Sequence, residues 1–329
     1  MSRKTRKLKN KLLVPFAWIG IGLGMCVIPW LPRPALFFLC DVLSRAMLLL
    51  DRRGKRRALA NLRVVRGRVD WDGVFAFDPD RAKYDPTPDE ARIVRRSYRN
   101  MARTVGYAFW TCRRAAVRAA ATGVLCDAAR RFLAANRPAV TVSGHIGCWE
   151  ILSQLAFLEG HAMMSVAKGI GTGGMTALLM RARRSIGQEI VPAEGAFKPL
   201  LQGLRDGKSL GLLVDQSVSP KRGGVWVRFL GFPIAVSAAP AFFAAKGKVP
   251  IVVAWSRPLK DGRYRCEVVD TITAAEARDI WGTTQRCARD LERIVRRHPS
   301  CWVLNYNFYS NIPTLAVVEE LAKREAKAK

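Results

Sequence analysis

Hydrophobic positions along the chain change from helical spacing to short strand-like runs and back again. Between residues 88 and 121, apolar side chains such as Ile93, Tyr98 and Met101 recur at helical spacing. Short runs rich in branched residues then predict strands at 138–144, 209–214, 225–230, 251–256 and 264–269. Further helical patterns cover 149–158, 238–247 and 275–297. This alternation predicts an α/β fold, a central β-sheet core flanked by helices.

The N-terminus has a different pattern. Residues 1–11 carry six basic side chains, whereas residues 12–31 carry no charged side chain. Twenty helical residues extend about 30 Å, which is enough to span a bilayer core. A second apolar stretch at 34–50 is interrupted by Asp41 and Arg45 and is typical of an amphipathic helix. We therefore predict that residues 1–50 form a basic N-terminus with a hydrophobic membrane-anchoring helix.

Basic residues flank the uncharged run on both sides, so the positive-inside rule does not favour a simple crossing. We expect a shallow or re-entrant anchor at the cytoplasmic face of the membrane. A signal peptide is the alternative, but the run is long and no small-x-small cleavage site follows it.

The net charge of +29, from 55 basic and 26 acidic residues, predicts an anionic partner. No nucleic-acid-binding motif is present, and basic residues adjoin the apolar run, so an anionic membrane surface is expected and nucleic acid is not. Because half of the residues are hydrophobic, a disordered chain is excluded. No repeat or long linker divides residues 51–312, which we interpret as one catalytic domain, and residues 313–329 as a charged helical tail.

Cysteine and histidine spacings do not favour a metal site. The eight cysteines form no CxxC pair, and the three histidines lie far apart without a partner four residues away. Scattered single cysteines are typical of reduced thiols in a reducing cytoplasm. No metal and no cofactor are expected.

The strongest chemical signal is the segment 144–150. His145 directly follows a predicted strand, and Glu150 lies five residues later on the first turn of the next helix. On a continuous helix the two side chains would be about 140° apart, so they converge only if the chain bends at Gly144 and Gly147. A histidine bonded to a carboxylate through one nitrogen can accept a hydroxyl proton on the other. The alternative is a buried histidine that only happens to lie beside a helix-start carboxylate.

These residues resemble the bacterial lipid A biosynthesis (lauroyl/myristoyl) acyltransferases, within the lysophospholipid acyltransferase-like superfamily. The resemblance spans residues 55 to 303, approximately, and rests on several segments in a specific order: Ala60-Asn61-Leu62, Gly144-His145-x-Gly147-x-Trp149-Glu150, Leu212-Leu213-Val214-Asp215-Gln216, Gly224-Val225-x-Val227-x-Phe229-x-Gly231-x-Pro233, Ala239-Pro240-Ala241, Val249-Pro250-Ile251-Val252, and His298-Pro299 with Trp302.

The resemblance implies transfer of a fatty acyl chain from an acyl carrier protein or coenzyme A thioester to a hydroxyl of an anionic glycolipid, foremost a lipid A precursor. His145 would be the general base and Glu150 its orienting partner. A thioester is already activated, so neither a metal nor a covalent enzyme intermediate is needed. Backbone N–H groups near Gly147 and at the start of the next helix are candidates to stabilise the oxyanion. The resemblance also implies a location at the cytoplasmic face of the cell inner membrane.

Further candidates for substrate binding follow from the same resemblance. Asp215 and Gln216 end a predicted strand, where open α/β sheets place ligand groups, although they could instead cap a turn. Arg183, before a glycine, is a candidate to bind acceptor phosphate or the donor, with Arg181 and Arg184 as competing assignments. Lys168 is a similar candidate. Each of these cations has the alternative of a solvated surface charge.

Two segments depart from the family pattern. Residues 302–309 contain no Arg or Lys where a basic and aromatic cluster is expected. The glycine-rich stretch 169–174 is not followed by GK[ST], so we interpret it as a mobile loop over the cleft rather than a phosphate loop. Other acceptors therefore stay open, namely a phosphatidylinositol mannoside, an ornithine lipid or a lysophospholipid. A non-enzymatic basic protein that binds membranes or nucleic acid is the remaining alternative.

Overall fold

The structure is a computed structural model that describes residues 27–70, 73–74, 76–135, 137–167, 180, 183–184 and 188–327. Most of the uncharged run at 12–31 lies outside the described residues, as do Lys168, Arg181 and the stretch 169–174.

Helices cover most of the N-terminal third and then alternate with strands. Their bounds are α1 (Arg33–Leu50), α2 (Arg52–Val65), α3 (Pro88–Trp110), α4 (Ala115–Thr122), α5 (Asp127–Ala134), α6 (Glu150–Leu158), α7 (Phe197–Arg205), α8 (Ala239–Gly247), α9 (Ile280–Arg297) and α10 (Leu315–Lys327). Short 3₁₀ turns lie at Ile28–Trp30, Pro220–Arg222, Glu276–Arg278 and Pro299–Cys301.

The strands form one large sheet and one hairpin. They are β1 (Gly123–Leu125), β2 (Val140–Ser143), β3 (Met163–Ala167), β4 (Gln188–Pro192), β5 (Ser209–Leu213), β6 (Gly224–Phe229), β7 (Phe232–Ser237), β8 (Ile251–Pro258) and β9 (Tyr264–Ile272). The large sheet has the order β1-β9-β8-β2-β5-β3-β4, and β6 pairs with β7 separately. Neighbours in the large sheet are parallel except β8 and β9, which are antiparallel. The predicted α/β fold with a central sheet flanked by helices is confirmed.

Strand register brings two loops to the same edge of the sheet. Strands β2 and β5 are parallel neighbours, and Ser143 at the end of β2 lies opposite Leu213 at the end of β5. The residues that follow the two strands therefore emerge side by side at the carboxyl edge. Open parallel sheets bind ligands at this edge.

Helices cover both faces of the sheet. Val140 and Val142 of β2, with Ile251 and Val253 of β8, pack in one cluster with side chains of α7, α8 and α9. Ala139, Val252 and Ala254 point to the other face, against Phe132 of α5 and Leu152 of α6. Because both faces are buried, the central strands are rich in apolar residues, and this is why their runs were recognisable in the sequence.

The helix predicted at 88–121 is two helices. A capping box between Thr87 and Glu90 starts α3. The helix ends at Trp110, where the Thr111 hydroxyl donates back to the carbonyls of Tyr107 and Ala108. Arg114 then adopts a left-handed conformation, with φ of 54°, before α4 begins. Helical spacing alone did not reveal this break.

The apolar stretch at 34–50 forms α1, which packs along α3. Asp41, one of the two charges that interrupt this stretch, pairs with Arg103 of α3 through two hydrogen bonds of 2.8 Å. Among the helices that the structure describes, none is long and apolar enough to cross a membrane.

Candidate active site

A histidine and an aspartate meet at the carboxyl edge of the sheet. His145 follows β2 and Asp215 follows β5, and the His145 Nδ1 atom lies 2.8 Å from Asp215 Oδ1. The backbone N–H of His145 also donates to Asp215 Oδ2 at 2.9 Å. The indole N–H of Trp302 donates to the same oxygen at 2.9 Å. Asp215 thus holds His145 by both side chain and backbone.

The charges of this pair support each other. The Asp215 side chain is fully buried, and burial, the largest single influence on its pKa, opposes ionisation. Attraction to His145 and hydrogen bonds from the three N–H donors together outweigh burial, so the Asp215 pKa is lowered. For His145, burial again opposes the charged form, but the Asp215 carboxylate outweighs it and raises the His145 pKa. An ionised Asp215 can only accept hydrogen bonds, so the neutral imidazole carries its proton on Nδ1.

The other imidazole nitrogen is the one available for chemistry. About a quarter of the His145 side chain is exposed (24%), in contrast to the buried Asp215. The Gln216 Nε2 atom lies 3.5 Å from His145 Nε2. The Trp149 ring packs edge-on against the imidazole, with centroids 5.0 Å apart. His145 Nε2 therefore has the accessibility that a general base requires.

The loop after His145 is bent at Gly147, as its sequence predicted. Gly147 has a φ of +64°, and a Cβ there would lie 1.7 Å from the backbone oxygen of Ser256. The Gly147 N–H donates to the Cys301 carbonyl at 2.8 Å, and its carbonyl accepts from the Thr104 hydroxyl at 2.9 Å. Only glycine fits this position. The N–H that we expected to be available for an oxyanion is already hydrogen-bonded.

Contacts from distant segments hold the rest of this loop. The Ser256 hydroxyl accepts from the N–H of Cys148 at 2.9 Å and donates to its carbonyl at 2.6 Å. The N–H of Val303 donates to the His145 carbonyl at 3.1 Å. Positions of this kind are fixed before substrate binds, which lowers the reorganisation needed during reaction.

Glu150 does not hydrogen-bond His145, which corrects the expected orienting contact. Its Oε1 accepts from Arg183 Nη2 at 2.6 Å and from the Trp149 indole at 3.0 Å, and its Oε2 accepts from Arg183 Nε at 3.2 Å. The physical reason is that the strand register places Asp215 against Nδ1, while the bend at Gly147 starts α6 beside Arg183. Glu150 acts on His145 through its charge, as one of the smaller influences that raise the histidine pKa.

A family model described as bacterial lipid A biosynthesis acyltransferase matches residues 81–307, more than two thirds of the 329-residue chain. The chain belongs to this family. The matched region contains His145, Glu150, Arg183 and Asp215, whereas Ala60-Asn61-Leu62 precedes it. A search of curated proteins found no match. The chain is accordingly an acyltransferase of lipid A-type biosynthesis.

The other residues that we predicted to bind substrate lie in different environments. Gln216 lies beside His145 Nε2, and Arg183 is bound to Glu150 rather than solvated. Arg184 is exposed. Lys168 and Arg181 are outside the described residues. Within the described ranges, no group of three or more His, Cys, Asp or Glu side chains is arranged to hold a metal ion.

Sequence reasoning missed three supporting residues of the acyltransferase site. Trp302 contacts Asp215, Ser256 holds Cys148, and Thr104 holds Gly147. The resemblance included Trp302 but did not suggest its hydrogen bond. No local pattern marks Ser256 or Thr104, because their partners lie 108 and 43 residues away in the chain.

Proposed function

We propose that this acyltransferase moves a fatty acyl chain from an acyl carrier protein or coenzyme A thioester to a hydroxyl of a lipid A precursor. The observation that carries the proposal is the His145–Asp215 pair, which lies at the carboxyl edge of the sheet with one imidazole nitrogen exposed. Such a pair activates a hydroxyl without a metal.

In the proposed step, His145 Nε2 takes the proton of the acceptor hydroxyl as its oxygen attacks the thioester carbonyl. An oxygen–carbon bond forms and the carbon–sulfur bond breaks. The proton on His145 then passes to the departing thiolate. Asp215 stabilises the transient imidazolium and keeps Nδ1 protonated. The products are an ester and a free thiol, so atoms and charge balance.

The tetrahedral oxyanion needs donors other than the Gly147 N–H. We assign this role to the Gln216 amide, which lies 3.5 Å from the imidazole nitrogen that receives the proton. Glu150 is a positioning residue that holds Arg183 by Nε and Nη2. Neither bond uses Nη1, and we assign that side of the guanidinium to an anionic group of the donor or acceptor.

We also propose that the protein works at the cytoplasmic face of the cell inner membrane. Phe38, Val42 and Leu49 lie on one side of α1 and are 72%, 43% and 73% exposed, opposite the buried Leu36 and Cys40. Exposed arginines, Arg45, Arg52 and Arg53, adjoin this side. An apolar outward face bordered by cations is suited to an anionic lipid surface.

Lipid mass spectrometry tests the proposed reaction. Wild-type and His145→Ala proteins are incubated in mixed micelles with both thioester donors, and with lipid A precursor and lysophospholipid offered together. We expect a gain of one acyl chain on the lipid A precursor that depends on His145. Acylation of lysophospholipid alone would show that the acceptor is not a lipid A precursor. Acylation by the His145→Ala protein would show that His145 is not the general base.

A further inference from the structure

A cavity of about 170 Å³, lined by both polar and apolar residues, lies between α2 and the segment that follows Trp302. Arg57, Ala60, Asn61 and Val64 recur at helical spacing along one side of α2 and form one wall. The opposite wall includes Tyr306, Asn307 and Ser310. The apolar cavity under α5 is smaller, at about 60 Å³. The cavity beside α2 has no assigned function.

The lining of this cavity is suited to a phosphorylated sugar. Among the residues that the structure describes, it contains a guanidinium, amide and hydroxyl groups, tyrosine rings and several apolar side chains, and no Asp or Glu. Arg57 is half-buried, and no described carboxylate lies within 4.0 Å of it. Two of the other four arginines of α2 are paired with acids: Arg53 with Asp80, and Arg63 with Asp85 and Glu90. A guanidinium without a carboxylate partner is available to bind phosphate.

The cavity lies close to the candidate base. Val303 hydrogen-bonds the His145 carbonyl, and Tyr306 of the cavity wall is three residues further along the chain. Three residues span at most about 11 Å, even when fully extended. Asn61 fixes this segment to α2 by donating to the carbonyls of Leu304 and Tyr306, at 2.6 and 2.8 Å. The segment 303–306 therefore links the cavity wall to the loop that carries His145.

The cavity also lies beside the proposed membrane surface. Helix α2 begins at Arg52, directly after α1 ends at Leu50. Arg57 is therefore less than two helical turns from the end of α1. A lipid headgroup can occupy this position while its acyl chains stay in the bilayer.

We propose that this cavity binds a phosphate-bearing sugar of the acceptor headgroup, with Arg57 contacting the phosphate. The proposal rests on the proposed function, because the acceptor hydroxyl must reach His145. The phosphate contact orients the headgroup and thereby contributes to acceptor selection.

The test compares Arg57→Ala and Arg57→Lys with the control Arg205→Ala, an exposed arginine at the end of α7. Full-length proteins are assayed in mixed micelles with a phosphorylated lipid A precursor and with its dephosphorylated counterpart. We expect Arg57→Ala to raise KM for the phosphorylated acceptor about 10- to 100-fold, with kcat changed less than about twofold. Arg57→Lys should recover part of this loss. Arg205→Ala on either acceptor, and both Arg57 variants on the dephosphorylated acceptor, should change KM less than about twofold.

Equal losses on the two acceptors, or equal losses in Arg57→Ala and Arg205→Ala, would overturn the proposal. A raised KM for the thioester instead would place the phosphate on the donor and also overturn it. Ala60→Phe, which fills the cavity and keeps the charge, should raise KM for both acceptors. An unchanged KM in that variant would show that the headgroup binds elsewhere.

A binding measurement separates this proposal from the proposed reaction. Calorimetry with the phosphorylated precursor compares His145→Ala with the double variant His145→Ala/Arg57→Ala. We expect at least about tenfold weaker binding in the double variant, even if acyl transfer to this lipid is not observed. Equal affinities would sink the phosphate contact whatever the reaction proves to be.

Discussion

Two buried carboxylates lie near His145 and differ in what they hold. Asp215 follows β5 and binds the imidazole, the His145 backbone and the Trp302 indole. Glu150 starts α6 and binds Arg183 and the Trp149 indole. The nearer carboxylate in sequence is thus not the hydrogen-bond partner of the histidine. Strand register decides the pairing, and the two acids take different roles within one site.

Of the substitutions that test this comparison, replacement of Asp215 is expected to lower kcat/KM the most. Asp215→Asn keeps the size of the side chain but removes the charge that stabilises the imidazolium and holds Nδ1 protonated. We expect kcat/KM to fall about 10²- to 10⁴-fold, measured as acyl transfer with saturating donor. Near-normal activity in folded Asp215→Asn protein would return the orienting role to Glu150.

The pH profile sharpens the same comparison. A general base must be neutral, so activity falls as pH drops through the His145 pKa. Asp215 raises that pKa, and we expect the acidic limb of kcat/KM to have its midpoint above 6.5. In Asp215→Asn the carboxylate that raises the His145 pKa is lost, whereas the burial that lowers this pKa remains. The acidic limb of the residual activity should therefore have its midpoint at lower pH than in the wild type. A midpoint unaffected by the substitution would contradict the pairing.

The sequence predicted the central strands because burial on both faces makes them rich in apolar and β-branched residues. It missed β3 and β4, which lie at one edge of the sheet, and β1 at the other. Asp215 was recognised as a strand-end residue, but its pairing with His145 requires β5 to lie next to β2. That order depends on packing between elements 70 residues apart in the chain, which no local pattern records. Because Glu150 lies only five residues after His145, the sequence suggested a hydrogen bond between them, but in the structure Glu150 binds Arg183 instead.

Replacing Gly147 tests whether the bend between His145 and Glu150 is needed. Gly147→Ala places a Cβ against the Ser256 carbonyl and forces a residue with a side chain into the left-handed region. We expect a loss of stability of about 1–3 kcal/mol, with activity reduced about 10- to 100-fold because His145 and Glu150 lose their relative placement. Thermal unfolding and turnover should be measured together. Gly195→Ala, with a similar positive φ but open space around it, is the matched control for backbone strain alone.

Glu150→Gln is expected to have a smaller effect than Asp215→Asn. The amide keeps one oxygen for Arg183 but loses the charge, so we expect about a tenfold loss of kcat/KM, with binding of the lipid retained. Because Glu150 is only a minor influence on the His145 pKa, the acidic limb should shift less than in Asp215→Asn. If Glu150→Gln shifted it as far, the distinction between the two carboxylates would be wrong.

Trp302→Phe is expected to have the smallest effect, since it removes one of three donors to Asp215 and leaves both donors from His145 in place. The ring of Trp302 is buried and stacks on Phe308 with centroids 4.0 Å apart, and phenylalanine preserves most of that contact. The lost donor no longer helps to lower the Asp215 pKa. We expect a loss in kcat/KM of about three- to tenfold. Phe229→Leu, which alters the packing against Trp302 without touching Asp215, is the control. A loss as large in that variant would show that packing, rather than the indole hydrogen bond, accounts for the effect.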